Sequence, residues 1–296
     1  MVNHNKCPLC DSEKIGLLYE CADHLVSGQK FPVLKCDTCS FIFTNSYPEE
    51  SESAGYYQSD EYISHSDTET GIVNRIYKYV RRRMLRSKLR MLKKESGLRS
   101  ASVLDIGSGT GYFPAYLRLK GWECRGIEKS PEAREYARTR NNIDLLTPDK
   151  LHSIEIASLD IVTLWHVLEH LYDPGKYLDS VFSILKEKGF LVIAVPNHIS
   201  YDARIYREFW AAWDVPRHLW HFNRGTIQLL CRKYGFELVS VRRLPYDAFY
   251  VSVLSEKNKE SSLPFSRAFF TGLVSWILSI INIDRTSSLV YFFRKY

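Results

Sequence analysis

Val103-Leu104-Asp105-Ile106-Gly107-Ser108-Gly109-Thr110-Gly111-Tyr112-Phe113 is the stretch from which the fold of this chain is read. An apolar run suited to a strand enters a turn with three glycines, and a helical pattern opens at Pro114. Glycine allows the tight turn and the close approach of a ligand to the backbone, and a helix start offers N–H groups that have no partner within the helix. A dinucleotide fingerprint wants glycine where Tyr112 stands. Asp105, just before the turn, would repel a pyrophosphate but suits a ligand that carries an ammonium group.

Gly126-Ile127-Glu128 then places a carboxylate 21 residues after Gly107, where an acidic side chain accepts both hydroxyls of a ribose. Strand patterns at residues 102–106, 123–127, 160–164, 190–195, 236–242 and 249–254, with helical patterns between several of them, predict an α/β, doubly wound, Rossmann-like sheet. Ligands of such sheets sit at the carboxyl ends of the strands. These features together resemble the class I S-adenosylmethionine-dependent methyltransferase family, whose first motif reads Asp-x-Gly-x-Gly-x-Gly. The resemblance covers residues 103–254 and implies a mostly parallel, seven-stranded sheet. It further implies that Gly107, Gly109 and Gly111 line the methionine end of the cofactor with Asp105 nearby, and that Glu128 binds the ribose. Asp149 is the candidate for the adenine amino group, against its reading as a solvated loop carboxylate beside Pro148.

Residues 160–171, DIVTLWHVLEHL, read as a buried strand leading into a short helix. His166 to His170 spell H-x-x-E-H, the spacing that places two zinc ligands on one helix face in some peptidases. Here the motif starts at a strand end, which argues against metal. The run resembles the segment after the fourth strand in ubiquinone-type O-methyltransferases and sugar methyltransferases, which implies that His166 faces the transfer site while Glu169 and His170 hold the helix. An insertion at residues 198–224 is dense in aromatics and is expected to be a substrate lid or a packed cap. Within it, His218-Leu219-x-x-Phe222 resembles a stretch of sugar C-methyltransferases whose histidine is the proposed base, with Arg217 in the place of a glutamate. His166 and His218 are therefore the two candidate bases.

Cys7-Pro8-Leu9-Cys10 and Cys36-Asp37-Thr38-Cys39 are two C-x-x-C knuckles, suited to one tetrahedral, structural zinc. They define a zinc-ribbon-like module at residues 1–45, similar to the small zinc domain that some sugar methyltransferases carry. Residues 1–8 hold no apolar core of a signal peptide, so a cytoplasmic chain with reduced thiols is expected. A connector with a basic amphipathic helix follows at 46–97, then the methyltransferase domain at 98–258 and an apolar tail at 259–296.

The formal net charge of +6 is concentrated in residues 72–94, where arginines and lysines interleave with apolar positions at helical spacing. That helix is expected either to pack with a solvated basic face or to touch an anionic surface. The tail segment 268–283 reads as too interrupted to span a bilayer and too apolar to stand in water. It is expected to pack on the domain or a second subunit, as in a homodimer, or to enter a membrane shallowly together with 72–94. The expected substrate is a small molecule or glycan precursor, such as a sugar or nucleotide-linked sugar, with no nucleic-acid partner. The alternatives are O-methylation of a quinone or other small aromatic, and a non-catalytic adaptor with a vestigial cofactor fold.

Overall fold

A computed structural model describes residues 1–57, 72–244 and 246–296, with the side chains of residues 72–77 outside the description. The connector residues 58–71, and the apolar and basic side chains expected of the helix at Ile72, Arg75 and Ile76, lie outside the described residues. The chain runs through strands β1 (Ile15–Ala22), β2 (Lys30–Cys36) and β3 (Ile42–Thr44) into a long helix, α1 (Ile72–Ser96). There follow β4 (Ser102–Ile106), α2 (Tyr112–Leu119), β5 (Glu123–Ile127), α3 (Pro131–Asn141), β6 (Leu159–Trp165), α4 (Pro174–Ile184) and β7 (Leu185–Pro196). The last third holds α5 (Tyr201–Tyr206), β8 (Trp220–His221), α6 (Arg224–Lys233), β9 (Phe236–Arg243), α7 (Asp247–Asn258), α8 (Pro264–Ile281) and β10 (Ser288–Lys295).

The main sheet has the order β5-β4-β6-β7-β10-β9. β4, β5, β6 and β7 are parallel to one another, and β10 runs antiparallel between β7 and β9. β4 and β6 are buried almost throughout, as strands covered on both faces are. This is the doubly wound, Rossmann-like fold, with six strands in place of the seven expected. The missing edge strand survives as a single bridge between Ile127 and Leu146, because Pro148 follows at once, has no N–H to extend a ladder, and opens a 3-10 turn, Pro148–Ser153.

Two further expectations give way. Residues 249–254, rich in aromatic and branched side chains, are not a strand but part of α7, whose buried positions Ala248, Ser252, Ser255 and Glu256 recur at helical spacing. The sheet instead takes its last strand from the tail: Leu289, Val290, Tyr291, Phe292 and Phe293 are all fully buried in β10. The domain therefore does not end at residue 258, and 259–296 is no appendage.

A second sheet, of order β1-β2-β3-β8, carries the cysteine module. Its edge strand β8 comes from the insertion, pairing Phe43 with Trp220 and Ile42 with His221. Phe41 stacks on Trp220 and packs against Phe222. Trp210, Trp213, Leu219 and Phe222 are buried, so the insertion at 198–224 is a bridge between the two sheets and not a lid.

Candidate functional site

The glycine turn leaves the carboxyl end of β4 with Gly107, Gly109 and Gly111 all at positive φ, a conformation costing other residues about 1 kcal/mol. A Cβ on Gly107 would lie 2.3 Å from the Val167 side chain, and one on Gly111 within 3 Å of Ile143 and Ala137, so both glycines serve close packing. Nothing stands within 4 Å of a Cβ on Gly109. Its backbone is open to a ligand. Gly111 caps α2 without a side-chain bond, leaving helix N–H groups for an anionic group.

Glu128, at the end of β5, accepts from the Gly109 N–H at 2.7 Å and from the Ser130 N–H at 2.9 Å, which fixes its carboxylate beside the loop. Each oxygen keeps a lone pair for a hydroxyl. Asp105 is buried and accepts from the Thr163 hydroxyl at 2.6 Å. Burial raises its pKa to about 6, partly offset by Thr163 and by the ammonium of Lys88. Lys88 lies over the rings of Phe113 and Trp165, and burial lowers its pKa to about 8 while Asp105 and Asp247 oppose the shift. Asp149 opens its 3-10 turn on the surface and pairs with Lys150 at 3.4 Å. Among the described residues its ion-pair partner is thus a neighbour in sequence and not a group of the glycine loop.

The open backbone at Gly109, the fixed Glu128, the uncapped helix and the carboxylate of Asp105 fit the ribose and the amino-acid end of S-adenosylmethionine. Replacing Glu128 by alanine is expected to weaken cofactor binding about 100-fold, the loss of two charge-assisted hydrogen bonds of roughly 1.5 kcal/mol each. Calorimetry checks this, and unchanged affinity in a folded Glu128→Ala protein would remove the assignment.

Beyond β6, His166 turns into the left-handed region at φ 57 and sits between two carboxylates. Its Nδ1 is 3.4 Å from Glu169 Oε1 and its Nε2 3.3 Å from Asp247 Oδ2. Burial alone would lower its pKa, but Asp247 and Glu169 outweigh this and raise it to about 10. His166 is therefore held as a cation and is ill suited to take a proton. The ordinary histidine value is near 6.5, so the pairing contributes stability that is fully present below that pH and is lost as pH rises through about 10. The expected result is that wild-type melting temperature exceeds that of His166→Gln at pH 6 and that the gap closes by pH 10. A gap independent of pH would contradict the pairing.

The other histidines differ. His218, from the insertion, bonds the Ala212 carbonyl through Nδ1 at 2.9 Å, so that nitrogen carries the proton and Nε2 bears a lone pair. Nε2 lies 3.8 Å from Asp214, and the ring meets His170 edge to face at 4.5 Å. Burial and the neighbouring His218 lower the His170 pKa to about 4, keeping it neutral. Glu169 is 1% exposed and neither of its oxygens has a hydrogen-bond partner. Burial would raise its pKa, but the His166 cation beside it holds it low and ionised. Ligand atoms of Glu169, His170 and His218 all lie within 4.8 Å of one another, a convergence from two segments and not from one helix face.

Arg217, in the place of the family's glutamate, is buried and bonds Asp214, Asp23 of the module and the Tyr56 carbonyl. It ties the insertion to the module. Thr44, at the end of β3, donates its hydroxyl to the His218 carbonyl at 2.7 Å and contacts His221 Nε2 at 3.0 Å. The cysteine module thus supports the backbone of a candidate base.

Cys7 and Cys39 stand 3.6 Å apart at their sulfurs, as do Cys10 and Cys36, and all four lie within 4.8 Å of one another. Four thiolates about 2.3 Å from one zinc would be spaced by roughly 3.8 Å. The two knuckles repeat one geometry: Asp11 N–H donates to Cys7 O and Ser40 N–H to Cys36 O, each at 2.9 Å, with Asp11 and Ser40 both left-handed. The tetrad could hold zinc.

Sequence reasoning missed Lys88, Asp214 and Asp247. Lys88 was readable, since it falls three residues after Leu85 and four before Leu92 on the apolar face of α1. Asp247 was hidden by the strand reading of α7.

A glycine loop and a spaced carboxylate at the carboxyl ends of a doubly wound sheet define an S-adenosylmethionine-dependent methyltransferase. A family profile described as a methyltransferase domain matches residues 76–241, more than half of the chain, and the protein belongs to that methyltransferase family. Two similar proteins are ubiquinone biosynthesis O-methyltransferases. The one from Paraburkholderia phymatum is 27% identical over 37% of this chain and 50% of its own length. The one from Cupriavidus pinatubonensis is 22% identical over 59% and 74%. The chain thus spans about half the length of the first of these relatives. Among solved structures, a Galdieria sulphuraria protein assigned by inference as a sarcosine dimethylglycine methyltransferase shares the fold, with TM-score 0.51 and 20% identity over 75% of this chain and 88% of that one.

Proposed function

We propose that the protein methylates a hydroxyl of a small glycan precursor, a sugar or nucleotide-linked sugar, with His218 as the base. The observation that carries this reading is the His218 imidazole, whose Nδ1–H is fixed on the Ala212 carbonyl and whose Nε2 looks into a polar cluster of Glu169, His170 and Asp214. Such a cluster suits an acceptor with several hydroxyls.

The bound cofactor supplies an electrophilic methyl on a good leaving group. The chain's task is to align the acceptor and remove its proton. His218 Nε2 takes that proton, and the ionised Glu169 and Asp214 steady the resulting imidazolium. The cation of His166 orients Glu169 and Asp247. Asp105, opposite the loop, with Gly107, Gly109 and Gly111, receives the amino-acid end of the cofactor, and Glu128 the ribose. Asp149 is the weaker adenine contact. Structural zinc on Cys7, Cys10, Cys36 and Cys39 holds the module that supports His218.

A second reading, O-methylation of a quinone precursor or other phenol, is favoured by the names of the curated relatives. Transfer of radiolabel from the cofactor to a panel of nucleotide-linked sugars and to a panel of dihydroxylated phenols separates the two. Label in the sugar panel is expected. Label confined to the phenols replaces the first reading by the second, and label in neither removes both.

A further inference from the structure

α8 wears its polarity inside out. Its four buried residues are Ala268, Gly272, Ser275 and Ser279, all small, two of them hydroxylated. Ser275 donates to the buried carboxylate of Asp202 at 3.1 Å, Ser279 accepts from Arg243 at 3.1 Å, and a Cβ on Gly272 would strike Phe249. The outward positions are Phe265, Phe269, Phe270, Val274, Ile277, Ile280 and Ile281, from 37% to 80% exposed. At 100° per residue they cover roughly half of the helix circumference. A helix selected for water carries the opposite arrangement.

By length and composition α8 is the one helix among the described residues that could cross a membrane, contrary to the expectation from its interrupted sequence. Its inner face is nevertheless bonded to Asp202 and Arg243, which keeps the helix against the protein. The segments that pack beside α8 carry cations. Arg204, Arg207 and Lys259 line one depression with Glu208, and Arg267 is exposed in the first turn of α8. Glu208 is the one carboxylate that lines the depression. Tyr246, just before the neighbouring α7, and Tyr250, on it, are also exposed.

We infer that α8 docks the protein on an anionic lipid bilayer, lying in the interface with its aromatic and aliphatic face in the acyl region and the arginines and lysine at the headgroups. A second copy of the chain would cover the apolar face equally well, but the cationic depression beside it gives no reason to prefer one, whereas it complements an anionic surface. α7 and α8 follow the carboxyl end of β9, and β9 runs parallel to β7 through β10, so the docking face lies at the same end of the sheet as Glu128, His166 and His218. Resting on the methyl-transfer reading, this places the mouth of the site toward the bilayer and favours an acceptor whose polar head is carried by a membrane lipid.

Flotation of the full chain with equimolar phosphatidylcholine and phosphatidylglycerol vesicles tests the docking. Wild type is expected to float, less with phosphatidylcholine alone, and the variant Phe269→Ser/Phe270→Ser/Ile277→Ser to lose at least about tenfold in the floating fraction. Both should bind S-adenosylmethionine equally. Arg204→Glu/Lys259→Glu, which leaves the apolar face intact, should lose the preference for phosphatidylglycerol. Wild type that stays at the bottom of the gradient overturns the inference, as does a lipid-free dimer that the triple variant dissociates without any flotation of wild type. Flotation requires no methyl transfer, so its failure is distinct from a failure of radiolabel to reach any acceptor.

Discussion

Methyl transfer by His218→Ala is expected to fall about 1000-fold while affinity for S-adenosylmethionine is retained. General-base removal costs roughly 10²–10⁴ in rate, and the upper half applies where the base is fixed in one tautomer, as the Ala212 carbonyl fixes His218. The substitution leaves the scaffold in place, because Thr44 bonds the backbone carbonyl of His218 and not its ring. His166→Gln provides the contrast. As a cation between Glu169 and Asp247, His166 cannot serve as the acceptor of the proton, so its replacement should disturb rate far less than it disturbs the pH dependence of stability. Single-turnover label transfer measures both. A His218→Ala enzyme within a few-fold of wild type would place the base elsewhere.

Cys36→Ser or Cys39→Ser is expected to abolish binding of one zinc per chain and to lower the melting temperature by about 10 °C, the shift for roughly 4 kcal/mol in a domain of this size. The loss should not stay in the module. β3 pairs with β8, Thr44 holds the His218 carbonyl and Arg217 bonds Asp23, so metal removal loosens the insertion that carries the base. Activity should therefore fall with zinc content under chelation, while cofactor affinity, assigned in our proposal to Gly109 and Glu128 at the ends of β4 and β5, should fall much less. Zinc-free protein with wild-type melting and transfer would refute the coupling.

What could be read from the sequence was what local rules govern. The glycine turn, Glu128 and the two knuckles are short, and each residue type there answers a backbone or ligand demand within a few positions. β10 was passed over although Leu289 to Phe293 is an apolar, aromatic run of strand length, because its partners β7 and β9 are remote and α8 intervenes, so the run was read as part of the tail and not as a central strand. α7 was misread because Phe249, Tyr250 and Val251 favour a strand locally, whereas packing against α8, where Phe249 meets Gly272 and Phe269, decides for helix. Aromatic density in 198–224 suggested a flap, since composition cannot tell an exposed aromatic from a buried one. The candidate cluster had the same obstacle: Glu169 and His218 meet only when two distant segments fold together.

Strand β8 has a temporal consequence. Thr44 and His221, which touch in the finished protein, are 177 residues apart in the chain. On the ribosome the knuckles emerge well ahead of β8 and can capture metal at once, since every sulfur ligand lies between Cys7 and Cys39. The hairpin of β1 and β2 then waits, with the outer edge of β3 unpaired, until most of the chain has been synthesised and β8 arrives to close it. Over that interval the nascent chain carries an open strand edge, and slowing translation before residue 220 should raise its demand for chaperones more than slowing it afterwards.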